Sequence, residues 1–292
     1  MILIGENINI VSKTLGPALK ERVPGPVKEM ALLEAKAGMD YLDLNIGPAR
    51  RGGEELMNWT VATVREVTSL PLSLDTTNPL AMEAGLRANR GQSLVNSVSL
   101  QPERLAQTLP LAPKYKANII GLLWGAEGMP RDVNERAMLA VDLIYKANAA
   151  GVPNENIWID PIVTPVSGEI NQIKACLEFL PMLQDIAPGC KSVVGLSNVS
   201  NGTPTPLRPY LNRTYLVMLM RYGLHSAIVD AQDEELINIA RGKRPDLTRL
   251  IHRAMDGEKI DPRELDVEPA KYLKTVRVLR GESLYSHSWL EI

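Results

Sequence analysis

Nearly every short apolar run in this chain stops at an aspartate or an asparagine. I-L-I-G is followed by Glu6, Asn7 and Asn9, and Y-L-D-L-N carries Asp43 and Asn45 ahead of Gly47. L-P-L-S-L-D closes on Asp75, followed by Thr76, Thr77 and Asn78; S-L-V runs into Asn96 and Ser97; I-W-I-D closes on Asp160. The segment V-V-G-L-S-N-V-S-N-G, residues 193–202, ends in small polar residues around Asn198 with no Cys, His or Lys among them, and S-A-I-V leads to Asp230 and Asp233. Asn78 and Asp233 read best as caps of the helices that follow. Asp75 and Asp160 end apolar runs directly, where an unpaired charge is costly unless it is used. Carboxylates interleaved with amides suit a flat neutral ring with several N–H donors, such as a pterin, whose amino group and ring N–H pair with an ionised carboxylate. Clustered aspartates binding Mg²⁺ are the rival reading. The carboxylates are spread over different runs and no phosphate-cradling loop accompanies them, which favours the pterin weakly.

Eight elements are needed to bring these ends together. Strands are expected at 2–5, 41–45, 70–75, 92–96, 118–123, 157–160, 192–196 and 226–230, each a short apolar run. Helical periodicity lies between them at 26–38, 54–68, 78–89, 101–109, 132–149, 168–186, 209–223 and 233–241. Gly38, Gly151 and Gly223 stand just past such patterns, where helix ends favour glycine. Eight strand–helix alternations over about 240 residues predict an α/β fold of the TIM (β/α)8 type, with chemistry at the C-terminal strand ends. A doubly wound sheet competes, but no G-x-G-x-x-G follows the first strand. Residues 1–242 would form the barrel and residues 243–292 a short C-terminal helical extension. Segments 246–256, capped by Asp246, and 268–280 each place their apolar residues on one face, for packing on the barrel or on a second subunit.

Composition narrows the partners. The 292 residues are 45% apolar with a net charge of −2, so neither nucleic acid nor a membrane surface is expected as the main partner. Cys176 and Cys190 have neither disulfide-framework nor zinc spacing, and three histidines, His225, His252 and His287, offer little for metal binding. M-I-L-I-G-E-N does not resemble a secretory leader, and no 18-residue apolar run occurs, so a soluble cytoplasmic enzyme is expected.

G-E-N-I-N (5–9), D-L-N-I-G-P (43–48), L-D-T-T-N (74–78), V-N-S (95–97), I-D-P (159–161), G-L-S-N-V-S (195–200) and L-N-R-T (211–214) occur in this order. Together, over residues 1–240, they resemble the pterin-binding methyltransferases, in particular the methyltetrahydrofolate:corrinoid protein methyltransferases of acetogens and of corrinoid-dependent demethylation. The resemblance implies a homodimeric TIM barrel that moves the N5-methyl group between methyltetrahydrofolate and the cobalt of a corrinoid. The corrinoid, a cobalamin, would be carried by a partner, either a corrinoid iron–sulfur protein or a small cobalamin-binding protein, and this chain would bind no metal. It implies that Asp75, Asn96 and Asp160 hold the pterin and that Asn198 lies near N5 with Gly195 and Ser197 beside it. Asp43 and Asn45 would support that floor, and Arg208 would reach the p-aminobenzoate–glutamate tail. Asn201 stands where the family pattern has a glutamine. A tetrahydromethanopterin-dependent methyltransferase and a dihydropteroate synthase-like enzyme are the alternatives. The synthase pattern places cations after the seventh and eighth strands to hold pyrophosphate; here Ser197-Asn198-Val199 and Val229-Asp230-Ala231 stand there, so a mouth without cations is expected. The zinc module of methionine synthase needs thiolates that two isolated cysteines cannot supply.

Overall fold

In the computed structural model, which describes residues 1–291, eight parallel strands close into a barrel in sequence order. They are β1 (Ile2–Gly5), β2 (Tyr41–Asn45), β3 (Leu72–Asp75), β4 (Ser93–Ser99), β5 (Asn118–Leu122), β6 (Ile157–Asp160), β7 (Lys191–Gly195) and β8 (Ser226–Val229). β1 pairs with β8, which seals the seam with Gly5 beside Val229. All eight expected strands are present. β4 runs three residues further than expected and carries an irregularity between Asn96 and Val98 where it pairs with β5.

The alternation of side chains along each strand sorts the barrel into two cores. Leu42, Leu44, Leu72, Leu74, Val95, Ile119, Ile157, Ile159 and Val194 point outward into the layer beneath the helices. Ile4, Tyr41, Leu94, Ile120, Trp158 and Val193 point inward and plug the lower barrel. Trp158 meets Tyr41 and His225 edge-on, with Lys191 over its face, so this end is filled. Two residues above Tyr41 the same alternation must present Asp43, and two above that Asn45. The polar layer is thus a consequence of strand period and register.

The helices are α1 (Gly16–Glu21), α2 (Pro24–Lys36), α3 (Gly53–Arg65), α4 (Pro79–Ala88), α5 (Pro102–Thr108), α6 (Leu111–Tyr115), α7 (Val133–Ala149), α8 (Ile170–Ile186), α9 (Arg208–Arg221), α10 (Glu234–Ala240), α11 (Pro245–Met255) and α12 (Val267–Leu279). Asn78 caps α4 by accepting from the Leu80 and Ala81 amides, and Asp233 caps α10 through the Leu236 amide while pairing with Arg213. α1 and α6 were not expected, because six and five residues are too few to display a helical period. Asp246 does not cap α11: the helix begins at Pro245, where proline suits the first turn, and Asp246 pairs instead with Arg244. α11 and α12 pack on α9, burying Leu247, Ile251, Tyr272, Leu273, Val276 and Leu279. Trp289 folds back beneath them and donates its indole N–H to Thr275 Oγ1 at 3.0 Å. Among the described residues no helix is long and apolar enough to cross a membrane.

Candidate active site

Asn45, Asp75 and Asn96 stand at one level on adjacent strands, since Asn45 is paired with Asp75 and Asp75 with Asn96. All three are half-buried, open only toward the barrel mouth. Asp43 lies beneath them, 3% exposed. Its Oδ1 accepts from Ser73 Oγ at 2.5 Å and from Asn96 Nδ2 at 3.1 Å, which fixes the Asn96 amide with its carbonyl free. Asn45 Nδ2 donates to Asp75 Oδ2, while Asn45 Oδ1 accepts the Gly47 amide at 3.0 Å. Asp160 closes β6, and its Oδ1 accepts the Ile162 amide at 2.8 Å. Burial holds the carboxyls of Asp43 and Asp75 above the ordinary aspartate range, Asp75 further through its proximity to Asp43, and lifts Asp160 to about 6. A ring N–H or amidine placed on these oxygens would supply the hydrogen-bond donors that burial withholds from them.

Opposite this wall, β7 ends at Gly195 and passes into a single 3₁₀ turn, Leu196–Ser200, which carries Ser197 and Asn198. A Cβ at position 195 would stand 3.0 Å from Asn198 Nδ2, so the amide lies where a side chain would otherwise be. Asn198 Oδ1 accepts from Asn201 Nδ2 at 3.2 Å, which places Asn201 on the exposed side of the turn. Arg208, at the start of α9, donates Nε to Ser200 Oγ at 3.0 Å.

Two acids that the resemblance did not assign belong to this site. Ser197 Oγ donates to Glu6 Oε1 at 2.6 Å, so the residue beside Asn198 is tied to the end of β1. Burial, with Asp230 and Asp43 nearby, lifts Glu6 to about 7 against the opposing pull of the Ser197 bond and Arg208. Behind it, Glu34 reaches from α2 to within 2.6 Å of the place a Cβ on Gly5 would occupy, and its Oε1 accepts the Asn7 amide at 2.7 Å. Burial lifts Glu34 to about 8, and its Oε2 has no partner. Asn7 in turn donates to Asp230 Oδ1 at 2.7 Å. Glu6 was visible as a strand-end residue, whereas Glu34 sits in the last turn of α2, 27 positions from its partner Asn7.

The expectation of a mouth without cations is corrected by two arginines. The charge of Arg208 reaches Glu6, and Arg104, from α5, donates to Ser97 Oγ at 3.2 Å with its charge reaching Asp75. Arg104 also lines a recess of about 530 Å³ on the rim with Thr77, Gln101 and Glu103. Both arginines come from helices, so a reading of strand ends does not find their place. Among the described residues no group of three His, Cys, Asp or Glu is arranged to hold a metal ion, and both cysteines are free and buried.

Comparison with known proteins places this arrangement among relatives. The family model described as pterin binding enzyme matches residues 27–230. The chain is 26% identical over 241 residues to methylcorrinoid:tetrahydrofolate methyltransferase of Eubacterium limosum, covering 81% of this chain and 88% of that protein. It is 28% identical over 242 residues to methionine synthase of Mycobacterium leprae, covering 79% of this chain and only 20% of that longer protein. Among solved structures it is similar to dihydropteroate synthase from Thermus thermophilus, with TM-score 0.61 and 23% identity over 84% of this chain and 94% of that one. It is likewise similar to dihydropteroate synthase from Xanthomonas albilineans with 4-aminobenzoic acid, with TM-score 0.65 and 21% identity over 84% and 92%. The two structures share the barrel. The family match spans most of the chain and contains the strand ends that carry Asp43, Asp75, Asn96, Asp160 and Asn198: the chain belongs to the pterin binding enzyme family.

Proposed function

We propose that this chain is a methyltransferase that moves the N5-methyl group between methyltetrahydrofolate and the cobalt of a corrinoid carried by a separate protein. Asp75, Asn96 and Asp160 hold the pterin ring, Asp43 and Asn45 fix that wall, and Asn198 meets N5 from the opposite side. The observation that carries the reading is the Gly195–Asn198 pair, which sets a neutral amide where a phosphate-releasing relative would need a cation. The kinship with a methylcorrinoid:tetrahydrofolate methyltransferase over most of both chains supports the same assignment.

The chemistry follows from that amide. The cobalt(I) partner attacks the methyl carbon in line, the cobalt–carbon bond forms, and the C–N5 bond breaks with its electron pair left on N5. That nitrogen leaves well only if it gains a proton. Asn198 cannot supply one, but it can accept from N5–H⁺ through Oδ1 or donate to neutral N5 through Nδ2, stabilising charge as it develops. Glu6, one hydrogen bond from the residue beside Asn198 and lifted to about 7, is a store for the proton. Arg208 lies on the rim beside the Asn198 turn, where the p-aminobenzoate–glutamate tail would leave the mouth, with Asn201 next to it.

A second copy of the chain is the other partner. Met138, Val141 and Tyr145 on α7 are 70%, 52% and 73% exposed and fall on one face by their spacing of three and four, flanked by Asn134 and Asn148. Such a stripe is self-complementary when two antiparallel helices meet about a twofold axis.

The direct test is the spectral change of reduced cobalamin mixed with methyltetrahydrofolate and the protein, with a methyltetrahydromethanopterin arm in parallel. Enzyme-dependent conversion to methylcobalamin with the folate is expected. No conversion with either carrier would overturn the reading, and conversion with the methanopterin alone would reassign the substrate.

A further inference from the structure

The turn that carries Asp160 is held in a conformation its own sequence disfavours. Ile162 has φ of 68°, in the left-handed region where a β-branched residue is an outlier. Its amide donates to Asp160 Oδ1 at 2.8 Å. Such a conformation persists where the surroundings over-determine it. The residue that does so is Arg136 of α7, which has no exposed surface. Its Nε donates to the Pro161 carbonyl at 2.9 Å, between the two members of that turn, and its other nitrogens donate to the Asp132 carbonyl at 3.2 Å and to Gln172 Oε1 at 2.6 Å. Gln172, on α8, is itself anchored to the Pro130 and Arg131 carbonyls at 3.2 and 3.1 Å.

These acceptors are all neutral. A buried guanidinium without a carboxylate partner is expensive, and apolar packing would hold two helices together at least as well. What apolar packing cannot do is bind the outer side of the 160–162 turn while placing a positive charge behind its carboxylate. We propose that Arg136 is a positioning residue of the active site, clamping the turn from outside the barrel so that the Asp160 carboxylate is kept aimed into the mouth.

The assignment rests on the reading of Asp160 as a ring-binding carboxylate. Burial is the largest influence on Asp160 and raises it; the Ile162 amide and the Arg136 charge oppose that rise. The other charged and titratable groups facing this region are Asp132 at the cap of α7, whose charge reaches Arg136, Cys176 of α8, whose thiol burial pushes up to about 12, and Tyr215 of α9, whose phenol burial raises well above its ordinary range; the thiol and the phenol are neutral near pH 7. Arg136 is therefore the charge whose removal Asp160 should feel. Its loss should push the carboxyl upward, toward the neutral form that binds a pterin amino group poorly.

The test is a titration of the Asp160 carboxyl by ¹³C NMR in the free protein, assigned with Asp160→Asn, for wild type, Arg136→Met, Arg136→Lys and Ile162→Gly. Folate binding is measured across the same pH range on the same samples. Arg136→Met should raise the Asp160 midpoint by about one pH unit or more and move the acid limb of folate binding upward with it. Arg136→Lys, which keeps the charge without the fork, should restore the midpoint while leaving folate binding several-fold weaker than wild type. Ile162→Gly, whose backbone adopts this φ freely, should fold and keep the wild-type midpoint, and Arg136→Lys, with its weakened folate binding at an unmoved midpoint, carries the test if Arg136→Met fails to fold. An Asp160 midpoint unmoved in a folded Arg136→Met protein, or equal losses in the Met and Lys variants, would overturn the proposal. A moved midpoint in a protein that binds no folate would instead sink the pterin methyl-transfer reading and leave the clamp standing.

Discussion

At the scale of single residues, the site is read from which donors and acceptors remain unused. Asn96 is turned by Asp43, and Asp75 is half-satisfied by Asn45, so each keeps an acceptor facing the mouth. Asp160→Asn replaces one acceptor by donors and should weaken folate binding about tenfold or more, checked by calorimetry; unchanged affinity would remove it from the ring site. Asn198→Ala should lower methyl transfer by roughly 10²–10³-fold with folate affinity nearly kept, because its bond matters most as charge develops on N5. Single-turnover kinetics beside equilibrium binding separate the two. Glu6 gives the pH signature. Lifted to about 7, it holds its proton below that pH and loses it above, so methyl transfer should fall as pH rises through about 7. Glu6→Gln should be slower at pH 6 and lack that limb; a variant retaining it would place the proton store elsewhere. The aspartates and asparagines of this site were legible because each lies within, at the end of, or just past a short apolar run. Arg104, Arg136 and Glu34 were not, because they act from helices and reach partners seven to 36 residues away.

At the scale of elements, strand alternation explains why so much was visible. Y-L-D-L-N sends Leu42 and Leu44 outward and Tyr41, Asp43 and Asn45 inward, so five residues specify one wall from plug to mouth. The short helices α1 and α6 carry too little periodicity to be seen, and Asn198 was expected at a strand top, whereas the chain has already turned into 3₁₀ geometry there. The packing of α2 on β1 has its own consequence. Glu34 is lifted from an ordinary glutamate to about 8, so the folded state holds a proton that the unfolded chain releases above about 4.5. Its contribution therefore favours folding at low pH and is lost as pH rises from about 4.5 through 8. Glu34→Gln removes that ionisation while keeping an acceptor for the Asn7 amide. The variant should melt about 2–4 °C above wild type at pH 8.5, for an effect on the order of 1 kcal/mol, and show little difference at pH 5. A melting difference independent of pH would mean that Glu34 does not titrate in this range.

At the scale of the whole molecule, the two ends of the barrel are unlike. The lower end is plugged by Trp158 and its neighbours, so a methyl group can enter or leave only where Glu6, Asp75, Asp160 and Asn198 gather. Under the proposed function, a corrinoid on another protein would have to approach along the barrel axis, and any second copy of this chain would have to leave that approach open. The stripe on α7 meets the condition, because it lies on the barrel's flank, directed away from the strands that Ala140, Leu143 and Ala147 of the same helix cover. α11 and α12 already have their apolar faces satisfied by α9, which leaves α7 as the better self-association surface. Val141→Glu, at the centre of the stripe, would place like charges opposite one another across a twofold axis. The wild-type chain should run as a dimer in light scattering at micromolar concentration and the variant as a monomer, with methyl transfer to free cobalamin retained because no site residue lies on that face. A wild-type monomer would refute the assembly, and a variant that remained dimeric would move the interface off α7.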